Sequence, residues 1–253
     1  DFESLAPMFP SLLPYFDTQG WTSFLYSHLQ YSPTTVSEFY NNLGLSDQGD
    51  LYSSVKGTRF RLTANLLSTA LEIPNSGVEI FNYNPSASEY YELLTLEPYD
   101  STKEIARLNA NSFPPLIRMI HHIFTTLIFP KDGSRELVTE VHKSLFIFFL
   151  KCQEINLPEL MISLIRRCFS NTKRSMPYAC PITSLLIFLG IPIPPSELIS
   201  LKSRSAFDLT AANRMGYKIV DGVVTRTLKG QEPQGADVSN GEEDNEGDEA
   251  NEG

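Results

Sequence analysis

The strongest pattern of hydrophobic and polar positions along the chain lies in residues 134–169. Apolar side chains recur there at helical spacing, and the run 145–150 is apolar all round, which predicts a buried helix. A second apolar stripe follows, and Asn156 and Glu159 are suited to cap its first turn reciprocally. We therefore predict two packed helices that form the core of the protein. The two stripes consist of Leu137, Val141, Leu145, Phe148, Leu157, Leu160, Met161, Leu164, Ile165 and Cys168.

Shorter patterns predict further helices and two β-hairpins. The pairs Lys56-Gly57 and Asp221-Gly222 stand between alternating apolar positions, as the two-residue turns of β-hairpins do. In the helix predicted at 116–129, helical spacing places His121 on the polar face. The predicted helices outside the central pair cover residues 32–43, 64–72, 87–94, 102–110, 116–129, 177–190 and 208–215, and the predicted hairpins cover residues 51–62 and 217–226.

Together these elements predict a mainly α fold, a compact multi-helix domain with two small β-hairpins and a disordered acidic C-terminal tail. Residues 1–31 mix aromatic side chains with prolines, and we interpret them as an N-terminal arm that packs onto the domain. Residues 32–228 form the helical domain. In residues 229–253, Gly, Asn, Asp and Glu dominate and little can be buried, which predicts disorder.

The formal net charge of −10 hides an uneven distribution of charge along the chain. Residues 1–100 carry 12 acids and 3 bases, whereas residues 101–230 carry 9 acids and 17 bases. Residues 231–253 carry 9 acids and no base. The folded part is therefore nearly neutral but dipolar, and the acidic isoelectric point of the chain comes from its tail.

Cysteine usage and the length of the apolar runs limit the class of protein. The chain has three cysteines, an odd number without a disulfide pattern, which is typical of reduced cysteines in an intracellular protein. The longest charge-free apolar run, 144–150, is far shorter than the roughly 20 residues that span a bilayer. We expect an intracellular protein that does not associate with membranes, and a nuclear location stays open.

Histidines are the first candidates for metal binding. His121 and His122 are adjacent, and His142 lies on the next predicted helix. Neighbouring residues of a helix point about 100° apart, and no Cys or carboxylate stands beside these histidines at ligand spacing. The pattern favours solvated histidines or histidines at the edge of the core. The sequence also lacks a phosphate-binding glycine loop and a dinucleotide fingerprint, so we predict no metal and no cofactor.

A row of carboxylates is the second candidate. Asp132, Glu136 and Glu140 are spaced four residues apart and would line one face of the predicted helix. A transposase holds two metal ions with clustered carboxylates, but those carboxylates come from separate elements around a cleft. Acids near the start of a helix interact favourably with the helix dipole, so the structural interpretation is preferred.

The densest basic group of the chain consists of Arg166, Arg167, Lys173 and Arg174. These residues lie at and beyond the C-terminal end of the second core helix, where the helix dipole stabilises cations. Alternatively, they form a patch that contacts the phosphates of nucleic acid, in keeping with the basic balance of residues 101–230. They are the candidate nucleic-acid-binding residues of the sequence. The acidic tail would either shield this patch or keep the protein soluble.

Several short motifs occur in a consistent order over about residues 20–226. They are Gly20-Trp21, Phe39-Tyr40-Asn41-Asn42-Leu43, Val55-Lys56-Gly57, Leu71-Glu72-Ile73-Pro74, His121-His122-Ile123, Asp132-Gly133-Ser134-Arg135, Ile155-Asn156-Leu157-Pro158, Met176-Pro177-Tyr178, Leu189-Gly190-Ile191-Pro192 and Arg214-Met215-Gly216-Tyr217. As a set they resemble the family called the putative plant transposon protein domain. Val223 departs from the pattern, since the family has a Trp after the Asp-Gly pair. The resemblance implies a plant protein from a transposon- or retrotransposon-derived reading frame, but no activity or catalytic residue.

The leading functional hypothesis is therefore a non-enzymatic, transposon-derived structural or interaction module. Its partners would be other proteins, further copies of itself or nucleic acid. The alternative is an enzyme of mobile-element mobilisation that processes nucleic acid with bound metal ions. Converging carboxylates in a concave pocket would favour the enzyme, and a basic convex surface would favour the binding module.

Overall fold

The computed structural model describes residues 1–27, 29–105, 107–169, 176–201 and 207–227. The chain is 48% helical, with eleven α-helices among these residues and a few small sheets. The prediction of a largely helical protein is confirmed at this level. The helices are α1 Phe2–Leu5, α2 Leu12–Thr18, α3 Thr22–Ser27, α4 Pro33–Asn41, α5 Ala64–Leu71, α6 Ala87–Thr95, α7 Pro115–Ile123, α8 Glu140–Leu150, α9 Leu157–Phe169, α10 Ala179–Phe188 and α11 Leu209–Arg214.

The strands form three small antiparallel sheets, and both predicted hairpins lie at their expected positions. The φ angles are 46° at Lys56 and 78° at Gly57 in the first turn, and 51° at Asp221 and 76° at Gly222 in the second. A type I′ turn requires such positive φ angles at both central residues. The pairing of β1 with β5 was not predicted, because two-residue strands leave no periodic pattern. The sheets contain β1 Gln30–Tyr31 with β5 Ile199–Ser200, β2 Gly44–Leu45 with β3 Leu51–Val55 and β4 Thr58–Arg61, and β6 Tyr217–Val220 with β7 Val223–Arg226.

Local capping chemistry fixes the starts of several helices. The side chains of Ser32 and Asp208 each accept a hydrogen bond from a backbone N–H in the first turn of the helix that follows. Asn156 does the same for α9, since its Oδ1 accepts the N–H of Glu159 at 3.0 Å. The backbone N–H of Asn156 donates to the carbonyl of Val78 at 3.1 Å. The reciprocal cap that the sequence predicts therefore forms in one direction.

Helix α8 begins later than the sequence predicts. Leu137 forms an isolated antiparallel bridge with Asn109 instead of a helical turn. Thr139 is the N-cap, and its Oγ1 accepts the backbone N–H of His142 at 3.4 Å. Leu145, in the middle of the helix, is 0% exposed. The apolar stripe is correct from residue 141 onward, while Leu137 belongs to an extended segment.

The helix predicted at residues 102–110 is wrong. The backbone N–H of Ala110 donates to the carbonyl of Glu136 at 2.7 Å, and that of Val138 donates to the carbonyl of Leu108 at 3.2 Å. These hydrogen bonds hold the two segments side by side in an extended conformation. Pairing with a distant segment outweighs a weak local preference for helix here.

Phe149 in α8 is the centre of an aromatic cluster that joins elements far apart in the sequence. Its ring centroid lies 4.8 Å from that of Phe16, 5.0 Å from that of Phe124 and 6.0 Å from that of Trp21. All four rings are fully buried. Phe16 belongs to α2, Trp21 precedes α3, and Phe124 begins the π-helical turn that follows α7. Edge-to-face and stacked ring contacts of this kind add to the free energy of hydrophobic burial.

The turn between α8 and α9 is held by two segments that are distant in the sequence. Gln19 Nε2 donates to the carbonyl of Gln153 at 2.8 Å, and Gln19 Oε1 accepts the N–H of Ile155 at 2.9 Å. Gly77 approaches the same turn so closely that a Cβ atom would lie 2.5 Å from the carbonyl carbon of Glu154. Only glycine permits this contact, and its φ of +101° also favours glycine.

The first 31 residues contribute more to the core than an arm would. They contain α1, α2 and α3, and Phe2, Leu5 and Phe16 are buried in the main hydrophobic cluster. The N-terminal amino group of Asp1 donates to the carbonyl of Phe207 at 2.7 Å. The division into an arm, a domain and a tail stays a prediction, and residues 229–253 lie outside the described residues.

Replacing Phe149 by Ala should lower the free energy of unfolding by about 3–5 kcal/mol, because the cavity would open at the centre of the aromatic cluster. Phe188→Ala is a matched control, since this ring is 52% exposed at the end of α10 and its loss should cost less than about 0.5 kcal/mol. Denaturant titration of the three proteins measures both values. Equal losses in the two variants would contradict the central position of Phe149.

Candidate nucleic-acid interface

Of the basic group that the sequence selected, the structure describes Arg166 and Arg167. Arg166 and Arg167, in the last turn of α9, point to different elements. Arg166 Nη1 donates to the carbonyl of Gly49 at 2.7 Å, whereas the Arg167 guanidinium lies 5.2 Å from the centroid of the Phe81 ring. Lys173 and Arg174 lie outside the described residues. The binding role of all four stays a prediction.

His142 is a buried, hydrogen-bonded part of the core. Its Nε2 lies 3.2 Å from the carbonyl of Phe129, and its Nδ1 lies 2.6 Å from Thr139 Oγ1. Because a carbonyl only accepts, Nε2 carries the proton and Nδ1 accepts from the threonine hydroxyl. Burial lowers the pKa of His142 from 6.5 to about 4. The geometry fits a neutral structural histidine.

His121 lies in the core rather than on the predicted polar face of α7, so that prediction is wrong. It is 1% exposed, and its ring is parallel to that of Phe146 with the centroids 6.1 Å apart. Neither ring nitrogen has a hydrogen-bond partner in the structure. Burial lowers the pKa of His121 from 6.5 to about 3, and positive charge on His142 and Arg118 would act in the same direction.

The three spaced carboxylates do not share a helix face. Only Glu140 lies in α8, at its first position, and it forms an ion pair with Lys143 at 2.7 Å. Asp132 and Glu136 precede the helix, in a segment of loop and turn. The expected interaction with the helix dipole therefore applies to Glu140 alone.

A cleft of about 500 Å³ lies between the start of α8 and the end of α9. Lys131 and Arg167 line it together with Asp132 and Glu140. Two bases and two acids leave the cleft without a dominant sign of charge. It therefore shows no preference for an anionic or a cationic ligand.

The three cysteines are reduced thiols in different surroundings. Cys152 is exposed, Cys168 is half-buried and Cys180 is buried. Burial raises the pKa of the Cys180 thiol to about 12, which makes it a poor nucleophile at neutral pH.

A different set of bases comes together around Glu136. We call Arg107, Arg118, Lys131 and Arg226 the basic cluster. The pKa of Lys131 is lowered mainly by burial, with Glu136 opposing the shift and Arg107 adding to it. The pKa of Arg118 is also lowered mainly by burial, and the charge of Arg226 contributes to the decrease. Lys131 and Arg118 thus each interact with Glu136 and with one further base of the cluster. None of the four bases makes a direct ion pair within the described part of the chain.

Rigid elements position the basic cluster. Arg118 projects from α7, and Arg226 is the last residue of β7. Arg226 Nε donates to the carbonyl of Met215 at 3.2 Å, and its Nη1 donates to the carbonyl of Asn111. Asn111 lies in a short 3₁₀ turn, which follows directly on the segment paired with Glu136. The helix, the hairpin and the turn therefore meet at this surface.

Residues 17–192, more than half of the chain, match the model of a family described as the Putative plant retrotransposon-related domain. The chain belongs to this family. The match confirms the resemblance to plant transposon-derived proteins that the sequence motifs carry. No curated protein and no solved structure matches the chain significantly. In the described part of this retrotransposon-related domain, no helix is long and apolar enough to cross a membrane.

Sequence reasoning missed the basic cluster because its members are isolated from one another along the chain. At least ten residues lie between any two of them, whereas charge density along the chain favours neighbours such as Arg166 and Arg167. One signal was present, because the predicted turn at Asp221-Gly222 places Tyr217 opposite Arg226. The hydrophobic periodicity of the sequence does not indicate that α7 packs beside this hairpin.

The two buried histidines of the retrotransposon-related domain make its stability depend on pH. Both bind protons less readily when folded, so their contribution is complete above the ordinary histidine pKa of about 6.5. It is lost as the pH falls from there toward 4 and 3. Between pH 6.5 and pH 5 we expect a loss of about 2 kcal/mol for each histidine.

Melting temperatures measured from pH 7.5 to pH 5 check this expectation. The decrease should be smaller for His121→Phe, because phenylalanine keeps the stacked ring and removes one titrating group. A wild-type melting temperature that stays constant over this range would contradict it.

Proposed function

We propose that this retrotransposon-related domain is a non-catalytic interaction module that binds nucleic acid through the phosphate backbone at the basic cluster. The observation that carries the proposal is that Arg118 and Lys131, from separate elements, both interact with Glu136 and each also interacts with a second base, Arg226 or Arg107. Like charges repel, so such an arrangement is costly unless an anion approaches it. Nucleic acid offers a regular array of anionic phosphates.

The chemistry of the basic cluster fits backbone contact. Arginine presents a planar fork of N–H donors that matches two phosphate oxygens, and lysine acts as a point charge. Arg107 is exposed, while Arg118, Lys131 and Arg226 are half-buried. The half-buried guanidinium of Arg226 is anchored by carbonyl groups, so less conformational entropy would be lost on binding.

The alternative of a metal-dependent nucleic-acid enzyme has less support. Of the three spaced carboxylates, Glu140 pairs with Lys143 and Glu136 lies among bases. No group of three or more His, Cys, Asp or Glu side chains within the described ranges is placed to hold a metal ion. We retain protein partners and self-association as further hypotheses, since the acidic 1–100 region and the basic 101–230 region could face each other between copies.

Fluorescence anisotropy with labelled DNA, measured over a range of salt concentrations, tests the proposal. The double variant Arg107→Gln/Lys131→Gln should bind more weakly than the wild type. The slope of log affinity against log salt should decrease in magnitude by about 2, because each phosphate contact contributes about 0.9. Arg59→Gln/Arg61→Gln is the matched control, since it removes two bases from β4.

The result that would overturn the proposal is equal weakening by the two double variants, or a wild-type chain that does not bind. A third double variant, Arg166→Gln/Arg167→Gln, tests the group that the sequence selected. Loss of DNA binding in this variant alone would assign the interface to the end of α9 instead of the basic cluster.

Removing residues 231–253 should strengthen DNA binding, most at low salt. The nine acids of this segment form a tethered polyanion that competes with DNA for bases, and salt screens that competition. The same anisotropy series compares the full and truncated chains. Equal affinities at low salt would show that the tail does not compete.

A further inference from the structure

Tyr217 is buried beneath the basic cluster with an unused hydroxyl group. The residue is 0% exposed, and its hydroxyl oxygen has no hydrogen-bond partner. Almost all buried polar groups in proteins are paired, and an unpaired one costs free energy. The hydroxyl therefore either forms a hydrogen bond with a bound molecule or lowers the stability of the folded protein by staying unpaired.

Two arginines lie beside this hydroxyl. Arg226 is opposite Tyr217 in the β6–β7 hairpin, and its guanidinium carbon lies 5.9 Å from the centroid of the tyrosine ring. Arg118 is close enough for its charge, like that of Arg226, to lower the pKa of Tyr217, against the dominant effect of burial, which raises it. The Nε atom of Arg118 is buried and also has no partner.

The hairpin is fixed at this place by its backbone. Gly216 has a φ of +84°, and a Cβ atom there would lie 2.5 Å from the carbonyl oxygen of Thr227. The N–H of Thr227 donates to the carbonyl of Gly216 at 2.9 Å. The base of the hairpin is thereby closed against the chain that follows it. Tyr217 and Arg226 are held in register at the surface of α7.

A negative ligand could accept hydrogen bonds from the tyrosine hydroxyl, from Arg118 and from those N–H groups of Arg226 that do not donate to Met215 and Asn111. Two guanidinium groups of like charge lie near one another without a direct ion pair among the described residues. A water molecule could satisfy the tyrosine hydroxyl, but it would leave the two positive charges with Glu136 as the opposing negative charge. An oxyanion would satisfy the donors and the charge at once.

We propose that Arg118, Tyr217 and Arg226 form a specific binding site for a phosphate group. The inference rests on the proposed function, because it names the contact through which the basic cluster would hold nucleic acid. A tetrahedral phosphate can accept from two guanidinium forks that approach from different directions and from a hydroxyl. The phosphate would come from a nucleic-acid backbone or from a free phosphate or phosphate monoester.

Thermal unfolding of the full chain, with inorganic phosphate as the probe, tests the site itself. Phosphate is compared with chloride at equal ionic strength and at about 1–10 mM, a range in which its general stabilising effect is small. At about ten times the dissociation constant, we expect the melting temperature to rise by about 3 °C.

Tyr217→Phe is the decisive variant, because it removes the hydroxyl and leaves the net charge unchanged. Without phosphate it should be as stable as the wild type or more stable, since no hydrogen bond is lost. With phosphate it should lose most of the rise in melting temperature, as should Arg118→Gln. Tyr31→Phe, in β1, is the matched control and should keep the full rise.

The site is refuted if the wild type shows no rise, or if Tyr217→Phe keeps the rise of the wild type. A second measurement, anisotropy with labelled phosphodiester DNA, distinguishes the two sources of phosphate. Weakening by about tenfold in Tyr217→Phe would assign the site to the nucleic-acid backbone. Unchanged DNA affinity, with the phosphate effect lost, would assign it to a free phosphate or a monoester.

The same pair of measurements separates this inference from the proposed function. A phosphate effect that depends on Tyr217, in a chain that binds no DNA, would support the site and refute the nucleic-acid module. DNA binding that depends on Arg107 and Lys131, without any phosphate effect, would refute the site and support the module.

Discussion

The packing of aromatic rings around Phe149 is the interaction on which the rest of the structure depends. Phe16, Trp21 and Phe124 reach this ring from three separate parts of the chain. The cluster thereby orients the N-terminal helices and α7 against the central pair α8 and α9. Because α7 carries Arg118, its seating in the core also fixes one wall of the basic cluster.

Local signals predicted most of the helices and both hairpins, because caps, glycines and apolar spacing act within a few residues. The failures have a common cause. Leu108 and Asn109 pair with a segment almost 30 residues away, and the same pairing places Leu137 outside α8. Periodicity in the sequence contains no information about such partners, so tertiary context decided the conformation.

The candidate site was less predictable than the fold. The sequence showed that residues 101–230 are rich in bases, but not which of them meet. Charge density favoured Arg166 and Arg167, whose side chains contact different loops. The structure instead joins Arg118 with Arg226, which are separated by more than a hundred residues. Charged residues can be counted in a sequence. Which of them come together depends on how the helices and hairpins pack against one another.

The bridge made by Gln19 has a consequence for the order in which the chain folds. Its amide holds both sides of the α8–α9 turn, 134 and 136 residues further along the chain. During synthesis, α2 therefore emerges long before the segment that its neighbour Gln19 will hold. Closing contacts between such distant residues is slow, because the ordering of the intervening chain precedes the gain from the contact. The hydrogen bonds between Gln19 and this turn are consequently expected to form late in folding, after the local hydrogen bonds of the turn itself.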